Sequence, residues 1–141
     1  MLLWTLAIEC HAQFIQEDPA RAFAKATAEN KRVLLVFSGS AWCVPCIQFE
    51  KKVLGDSQFI RFAGERLVVL IADFPQKKKV DPALRLQYDS LAQDFDPAGN
   101  FPQIVLLEPD RKLVGTLYFV YQPASEFIGQ CRRLLIQSSG G

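Results

Sequence analysis

A run of five apolar residues, Val33 to Phe37, ends six residues before a Cys-x-x-Cys pair in this chain. Such a run suits a strand that is buried on both faces of an α/β sheet. The small residues Ser38 to Ala41 favour a turn. From Cys43 to Leu54 the apolar residues recur at helical spacing, and Gly55 ends the pattern. The sequence therefore predicts a buried strand that leads, through a short turn, into a helix that begins with two cysteines.

Helical and strand-like patterns alternate along most of the 141 residues. Alternation in the first half and a hairpin at Pro109–Asp110 predict an α/β fold, with a central mixed sheet and helices on both faces. The sequence contains no internal repeat and no linker, so we expect a single domain from residue 13 to residue 141. The predicted helices are Ala20–Glu29 after an Asp18–Pro19 start, Cys43–Leu54, Asp56–Phe62, Ala83–Phe95 and Ala124–Ile136; the predicted strands are Val33–Phe37, Leu67–Ala72, Ile104–Leu107 and Leu113–Tyr121, with a polar loop from Phe74 to Pro82.

The composition argues against several classes of protein. Half of the residues are apolar and eleven are Phe, which favours a compact globule over a disordered chain. The net charge is +1, so no overall field favours nucleic acid or an acidic membrane, and we interpret Lys77–Lys79 as a solvated loop. The sequence has no stretch of about eighteen apolar residues, the length that a membrane span requires. We expect no nucleic-acid partner and no stable membrane insertion.

Residues 1–12 allow two interpretations. Leu2 to Ile8 form a short apolar run, and Cys10-His11-Ala12 could precede a cleavage point, as at the end of a secretory signal peptide. No Lys or Arg precedes the run, as one does in a complete signal, so the segment could instead be an N-terminal extension that forms a first strand. We favour export, and therefore the periplasm or cell envelope over the cytoplasm.

Four cysteines are too few for a disulfide scaffold, and only Cys43 and Cys46 form a local pair. The thiolate is the reactive form of cysteine, and a free thiol has a pKa of about 8.5. At a helix start, unpaired N–H groups and the helix dipole would stabilise the thiolate of Cys43. Cys46 lies one turn further on, so it could resolve a mixed disulfide that Cys43 forms. Pro45 is tolerated in the first helical turn, where its missing N–H removes no helical bond. The spacing predicts a redox pair.

Two other roles for the pair remain open on the residues alone: ordinary buried thiols, or half of a zinc site. Zinc needs four ligands, and the remaining candidates, Cys10, His11 and Cys131, are scattered near the ends of the chain. We therefore expect no metal and no cofactor. Cys131 is interpreted as a buried structural thiol on an apolar helix face.

At Trp42-Cys43-Val44-Pro45-Cys46 the chain resembles the thioredoxin superfamily, which shows the same order of strand, turn, this motif, helix, and a later Pro before a hairpin. The resemblance extends from about Ala20 to Ile136. Phe37 to Cys43 and Asp73-Phe74-Pro75-Gln76 look most like bacterial envelope thioredoxin-like proteins of the disulfide-reductase kind. The stretch Cys43 to Lys51 is also similar to the C-terminal thioredoxin-like domain of the membrane reductant conductor DsbD.

The resemblance implies a thioredoxin-like fold and roles for residues beside a redox-active Cys43–Cys46 disulfide. Pro102, preceded by Phe101, matches the family's cis-proline, which lets the preceding backbone pair with a substrate chain. On its own, Pro102 could simply start a strand. Trp42 and Pro45 would flank the attacking sulfur and help to position a substrate, and the alternative for Trp42 is ordinary core packing.

Two departures from the family pattern bear on the direction of electron flow. Thioredoxin carries a buried Asp on the strand before the motif, where this chain has Val36 or a close neighbour. Glu50 matches an acidic residue of the DsbD domain and could tune the cysteine pKa or accept a proton; it could equally be an ordinary surface Glu. Strong oxidants and isomerases of this class usually have a His between the cysteines, which Val44-Pro45 does not provide. The resemblance therefore implies a less acidic Cys43 and a more reducing couple.

We therefore expect a thiol–disulfide oxidoreductase, foremost a disulfide reductase or reductant carrier. It would act on protein disulfides and be recharged by a membrane electron donor of the DsbD type. A disulfide isomerase or oxidase, and a non-catalytic thioredoxin-fold binding module, remain as alternatives. We expect the protein to be a monomer.

Overall fold

The central sheet has five strands, and the computed structural model describes residues 15–77 and 79–139. The strands are β1 Ile15–Gln16, β2 Arg32–Ser38, β3 Leu67–Asp73, β4 Gln103–Leu107 and β5 Leu113–Leu117. Their order across the sheet is β1-β3-β2-β4-β5. The two interpretations of residues 1–12, and the domain start at residue 13, fall outside the described residues. Strand β1, which precedes the first predicted helix, was not predicted.

Strand β2 is the centre of the sheet. It runs parallel to β3, with Ser38 opposite Asp73, and antiparallel to β4, with Phe37 opposite Gln103. β1 pairs in parallel with β3, and β5 pairs antiparallel with β4. The carboxyl ends of β2 and β3 and the amino end of β4 therefore lie at one edge of the sheet.

Helices cover both faces of the sheet, as predicted. In the described residues the α-helices are α1 Pro19–Glu29, α2 Val44–Phe49, α3 Ser57–Arg66, α4 Pro82–Phe95 and α5 Ala124–Ser139. One face buries Val33, Leu35 and Phe37 of β2 in a cluster with residues of α1 and α4. The other face buries Leu34 and Val36 in a cluster with residues of α2, α3 and α5. Burial on both faces explains the uninterrupted apolar run of β2, and the predicted mixed-sheet α/β class is confirmed.

Helix starts follow the capping residues in the sequence. The Asp18 carboxylate accepts a hydrogen bond from the Ala20 N–H at 3.0 Å, with Pro19 in the first turn of α1. The Asp56 carboxylate likewise caps α3. α3 continues four residues beyond the predicted end at Phe62, because Ala63 extends its buried face. Along the described parts of the chain, no helix is both long enough and apolar enough to cross a bilayer.

The predicted helix from Cys43 to Leu54 is present, but its second half is a π-helix, Glu50–Leu54. The Gly55 N–H donates to the Glu50 carbonyl, five residues earlier, at 2.8 Å. Because a π-turn closes over five residues, the positions four and five after Phe49 both return to its side. Val53 and Leu54 are accordingly buried in the same cluster as Phe49.

Strand β5 is shorter than predicted, and the expected strand to Tyr121 is wrong beyond Leu117. The main chain of Tyr118 leaves the sheet and pairs with side chains: its N–H donates to Gln130 Oε1 at 3.0 Å, and its carbonyl accepts from Gln122 Nε2 at 2.8 Å. Tyr121 has a positive φ of 64°, which a strand does not accommodate. The apolar side chains of Tyr118, Val120 and Tyr121 are consequently exposed.

Candidate active site

Cys43 and Cys46 form a disulfide at the start of α2, with their Cα atoms 5.2 Å apart. Cys43 is the N-cap residue, in extended conformation, and its Sγ accepts a hydrogen bond from the Cys46 N–H at 3.3 Å. A sulfur in this position receives the unpaired N–H groups of the first helical turn, which stabilise a thiolate. Both cysteines are buried, Cys43 at 5% exposed and Cys46 at 1%, so Cys43 is the slightly more exposed residue of the pair.

The turn before the helix supplies a second main-chain donor. The Gly39 N–H donates to Cys46 Sγ at 3.5 Å. The same turn also positions Cys43, the N-cap residue of α2. The Gly39 carbonyl accepts hydrogen bonds from the Cys43 N–H at 2.7 Å and from the Trp42 N–H at 3.0 Å. Among the described residues, the hydrogen bonds to the two sulfurs therefore come from backbone N–H groups.

Trp42 forms one wall of the site. Its indole Nε1 donates to the Phe74 carbonyl at 2.8 Å, and its ring meets Phe101 edge to face at 5.2 Å. The indole also lies against Gly39, where any Cβ would overlap the ring. The side chain is held on three sides yet remains 38% exposed, which leaves an apolar surface next to Cys43.

Phe101 and Pro102 precede β4, and the peptide bond between them is cis. Because β4 pairs with β2, this segment lies at the sheet edge where the Cys43 turn begins. Both residues are half-buried. The structure therefore brings Phe101 to Trp42, as a residue beside the cysteine pair should be placed.

An aromatic cluster behind the site was not predicted from the sequence. Phe74 contacts Phe101 at 5.7 Å, Tyr88 at 6.0 Å and Phe37 at 6.4 Å between ring centroids. Tyr88 is anchored by its hydroxyl, which donates to the Glu17 carbonyl at 2.6 Å. The segment Phe74 to Pro82 was predicted as a polar loop; Phe74 does lie in a loop, but its ring packs into this aromatic cluster. Its signal was its position, directly after a buried strand at the edge where the cysteines lie.

Two carboxyl groups lie on elements next to the cysteines. Glu50 begins the π-helix one turn after Cys46, and it is half-buried. Burial raises the pKa of Glu50, and the nearby charge of Asp73 raises it further. Asp73 ends β3, and its carboxylate accepts from the Ser40 N–H at 2.9 Å and the Ser40 hydroxyl at 2.8 Å. Asp73 and Ser40 were not predicted as site residues.

Val36 occupies the position on β2 where thioredoxin has a buried Asp. Val36 is 1% exposed and lies in the core cluster that also contains Phe49. A carboxyl group for the site must therefore come from outside β2, and the structure offers Glu50 and Asp73.

Cys131 is a free, fully buried thiol on α5. Burial raises its pKa to about 12, so it stays protonated and unreactive at neutral pH. Across residues 15–77 and 79–139, His, Cys, Asp and Glu side chains form no group of three or more that could hold a metal ion.

A mixed sheet with a disulfide at the start of a helix, a cis-proline at the same edge of the sheet and an exposed Trp defines a thiol–disulfide oxidoreductase of the thioredoxin type. A family model described as thioredoxin-like matches residues 14–109. The chain belongs to the thioredoxin-like family.

Individual relatives carry the same fold. The chain is 28% identical over 119 residues to the disulfide bond reductase DsbH of Chlamydia pneumoniae, across 84% of this chain and 71% of that protein. A solved structure of a DsbH oxidoreductase superposes with a TM-score of 0.79 at 27% identity, covering 86% of this chain and 84% of the other. The oxidised C-terminal domain of Neisseria meningitidis DsbD shares the fold, with a TM-score of 0.58 at 17% identity, over 81% of this chain and 90% of that domain.

Proposed function

We propose that this protein is a disulfide reductase or reductant carrier of the cell envelope, acting through the Cys43–Cys46 dithiol. The observation that carries the proposal is the kind of donor at the sulfurs: they accept hydrogen bonds from the main-chain N–H groups of Gly39 and Cys46. A couple becomes oxidising when its reduced form is strongly stabilised. The helix start gives the thiolate moderate stabilisation, and Val44-Pro45 adds no cation between the cysteines.

In the proposed reaction the Cys43 thiolate attacks one sulfur of a protein disulfide. The substrate S–S bond breaks, its other sulfur leaves as a thiolate, and Cys43 holds the first sulfur in a mixed disulfide. Cys46 then gives up its proton and attacks Cys43 Sγ, which releases the second substrate thiolate and forms the Cys43–Cys46 disulfide. Two electrons pass from the dithiol to the substrate. Glu50, which begins the π-helix one turn after Cys46 and has a raised pKa, is our candidate to take the Cys46 proton.

The surroundings of the pair suit a protein substrate. Trp42 and Val44 expose apolar surface beside Cys43, at 38% and 62% respectively. Phe101 and Pro102, at the start of β4, would position the substrate backbone, and Pro45 would shape the first turn beneath it. The relative named disulfide bond reductase supports the direction of electron flow. We further propose that the protein acts as a monomer and is recharged by a membrane donor of the DsbD type.

Trapping of the mixed disulfide tests the catalytic role. In reduced Cys46→Ala protein, Cys43 can attack a disulfide but no second thiol can release the product, so adducts with oxidised insulin should accumulate on non-reducing gels. With Cys10→Ser in every variant, Cys43→Ala should form none, and Cys131→Ala is the matched control that should still reduce insulin. Absence of adducts from Cys46→Ala, together with absence of insulin reduction by the unaltered protein, would leave a non-catalytic binding module instead.

A further inference from the structure

The end of β3 fastens the active-site turn through four hydrogen bonds. Asp73 accepts from the Ser40 N–H and hydroxyl at 2.9 and 2.8 Å. The Phe74 N–H donates to the Ser38 carbonyl at 2.8 Å, and the Phe74 carbonyl accepts from Trp42 Nε1 at 2.8 Å. The turn from Ser38 to Trp42 is therefore held by the end of the neighbouring strand. Ser40 and Asp73, which form two of these bonds, are 33 residues apart in the sequence.

These bonds fix the two peptide planes that control the donor to Cys46. The Ser38 carbonyl and the Gly39 N–H belong to one planar peptide unit, so the bond from Phe74 sets the direction of that N–H. Asp73 holds the next unit through the Ser40 N–H. With both planes fixed, the Gly39 N–H lies 3.5 Å from Cys46 Sγ. Asp73 makes the stronger hold, because a carboxylate accepts charge-assisted bonds.

We propose that Asp73 is a positioning residue for the resolving cysteine: together with the Phe74–Ser38 bond, its hold on Ser40 fixes the peptide units on both sides of Gly39 and so keeps the Gly39 N–H directed at Cys46 Sγ. This role deepens the proposed function and rests on the same dithiol chemistry. In the oxidised protein the disulfide itself holds the sulfur. In the mixed disulfide that bond is absent, and the turn alone keeps a donor where the Cys46 thiolate must form. A fixed N–H at a developing negative charge speeds the step that forms it.

Asp73 also acts through its charge, in the opposite direction, because a carboxylate disfavours a nearby thiolate. Ser40→Ala separates the two effects: it removes the hydroxyl bond and leaves the charge of Asp73. Ser40→Thr keeps both the hydroxyl and the N–H and is the conservative rescue. Asp56→Asn is the control for stability, since Asp56 caps α3 through two backbone N–H bonds and lies outside the turn.

Stopped-flow reaction of the reduced protein with 5,5′-dithiobis(2-nitrobenzoate) resolves the two steps. Attack by Cys43 releases the first thionitrobenzoate in a concentration-dependent phase, and attack by Cys46 on the resulting mixed disulfide releases the second in a concentration-independent phase. All variants carry Cys10→Ser so that only the pair is counted; Cys131, with its pKa of about 12, does not react at neutral pH.

We expect Ser40→Ala to slow the second phase about three- to tenfold, as the loss of one hydrogen bond does, and to change the first phase less. In Ser40→Thr and in Asp56→Asn, the second phase should have the same rate as in the protein that carries Cys10→Ser alone. An unaltered second phase in Ser40→Ala, or an equal slowing in Asp56→Asn, would overturn the role of Asp73. Because the probe is a small disulfide, this result is independent of whether the protein reduces insulin, which tests the proposed function separately.

Discussion

At the scale of single residues, the two cysteines have different surroundings although only two residues lie between them. Cys43 caps a helix and lies beside the exposed faces of Trp42 and Val44. Cys46 lies one turn inside, almost completely buried, with the Gly39 N–H on its sulfur. The first is therefore placed to meet a substrate, and the second to meet only the first. This asymmetry is the physical basis for assigning attack to Cys43 and resolution to Cys46.

Glu50 gives a pH-dependent prediction. Its folded pKa is raised, by burial first and by Asp73 second, so the folded protein binds the proton more tightly than the unfolded chain. Ionised Glu50 therefore lowers stability, and the loss develops as pH rises from the unfolded pKa through the folded pKa. We expect Glu50→Gln to raise the free energy of unfolding at pH 7 and to leave it unaltered below about pH 4, where Glu50 is protonated in both states.

Urea unfolding of both proteins at the two pH values measures this difference. A Glu50→Gln protein that is less stable than the unaltered one at pH 7, or equally changed at both pH values, would show that the carboxylate is not destabilising. Glu65→Gln, at an exposed position of α3, changes the net charge by the same amount and in the same direction and is the matched control.

Residues whose role is local in sequence could be predicted, and residues that act across the sheet could not. Cys43, Cys46 and Trp42 form one motif, and Pro102 is singled out only by its match to the family's cis-proline. Asp73 and Ser40 meet only because β2 and β3 end at the same sheet edge, with Ser38 opposite Asp73. The sequence indicated Asp73 only as a polar residue at the end of a buried strand. No rule of sequence spacing predicts that it binds Ser40.

At the scale of elements, α5 stabilises the catalytic helix through aromatic contacts. Phe127 of α5 is fully buried and meets Phe49 at 5.1 Å and Phe59 at 6.1 Å, both near edge to face. Phe49 lies three residues after Cys46 in α2, so Phe127 connects α5 to the helix that carries the cysteines. The same face holds Phe119, 5.3 Å from Phe49.

Truncation of that side chain should be costly. We expect Phe127→Ala to lower the free energy of unfolding by about 3–5 kcal/mol, because it removes buried area and leaves a cavity beside the rings of Phe49 and Phe59. Ile136→Ala on the same helix is the matched control; Ile136 is 73% exposed, so a change within about 0.5 kcal/mol is expected. Urea denaturation with equal slopes for the three proteins checks both values. A loss under about 1 kcal/mol in Phe127→Ala would mean that the cluster does not stabilise the fold.

Elements with strong local signals were predicted closely. α1 has an Asp18 cap followed by Pro19, and β2 has an uninterrupted apolar run, so both begin within one residue of the predicted start. The π-helix after Phe49 and the early end of β5 depend on tertiary contacts. The first lets Val53 and Leu54 share one core cluster, and the second follows from bonds of Tyr118 to Gln122 and Gln130. The spacing of apolar residues alone predicts neither the π-helix nor the early end of β5.

At the scale of the whole molecule, two apolar clusters hold a parallel β2–β3 pair whose carboxyl ends open at one edge. That edge receives the cysteine turn, Asp73, and the Phe101–Pro102 segment from the antiparallel β4. The mixed sheet thus brings together residues from three separate parts of the chain. The site is hydrogen-bonded on the side of β3 and apolar on the side of Trp42, which suits the proposed action on protein disulfides.

The reduction potential of the Cys43–Cys46 couple tests the central claim most directly. It is measured by equilibrating the protein with glutathione redox buffers and quantifying the dithiol by alkylation. We predict a value near that of thioredoxin, about −270 mV, because the sulfurs have backbone N–H donors and no cation between them. A value near that of the oxidant DsbA, about −120 mV, would contradict the assignment as a reductase.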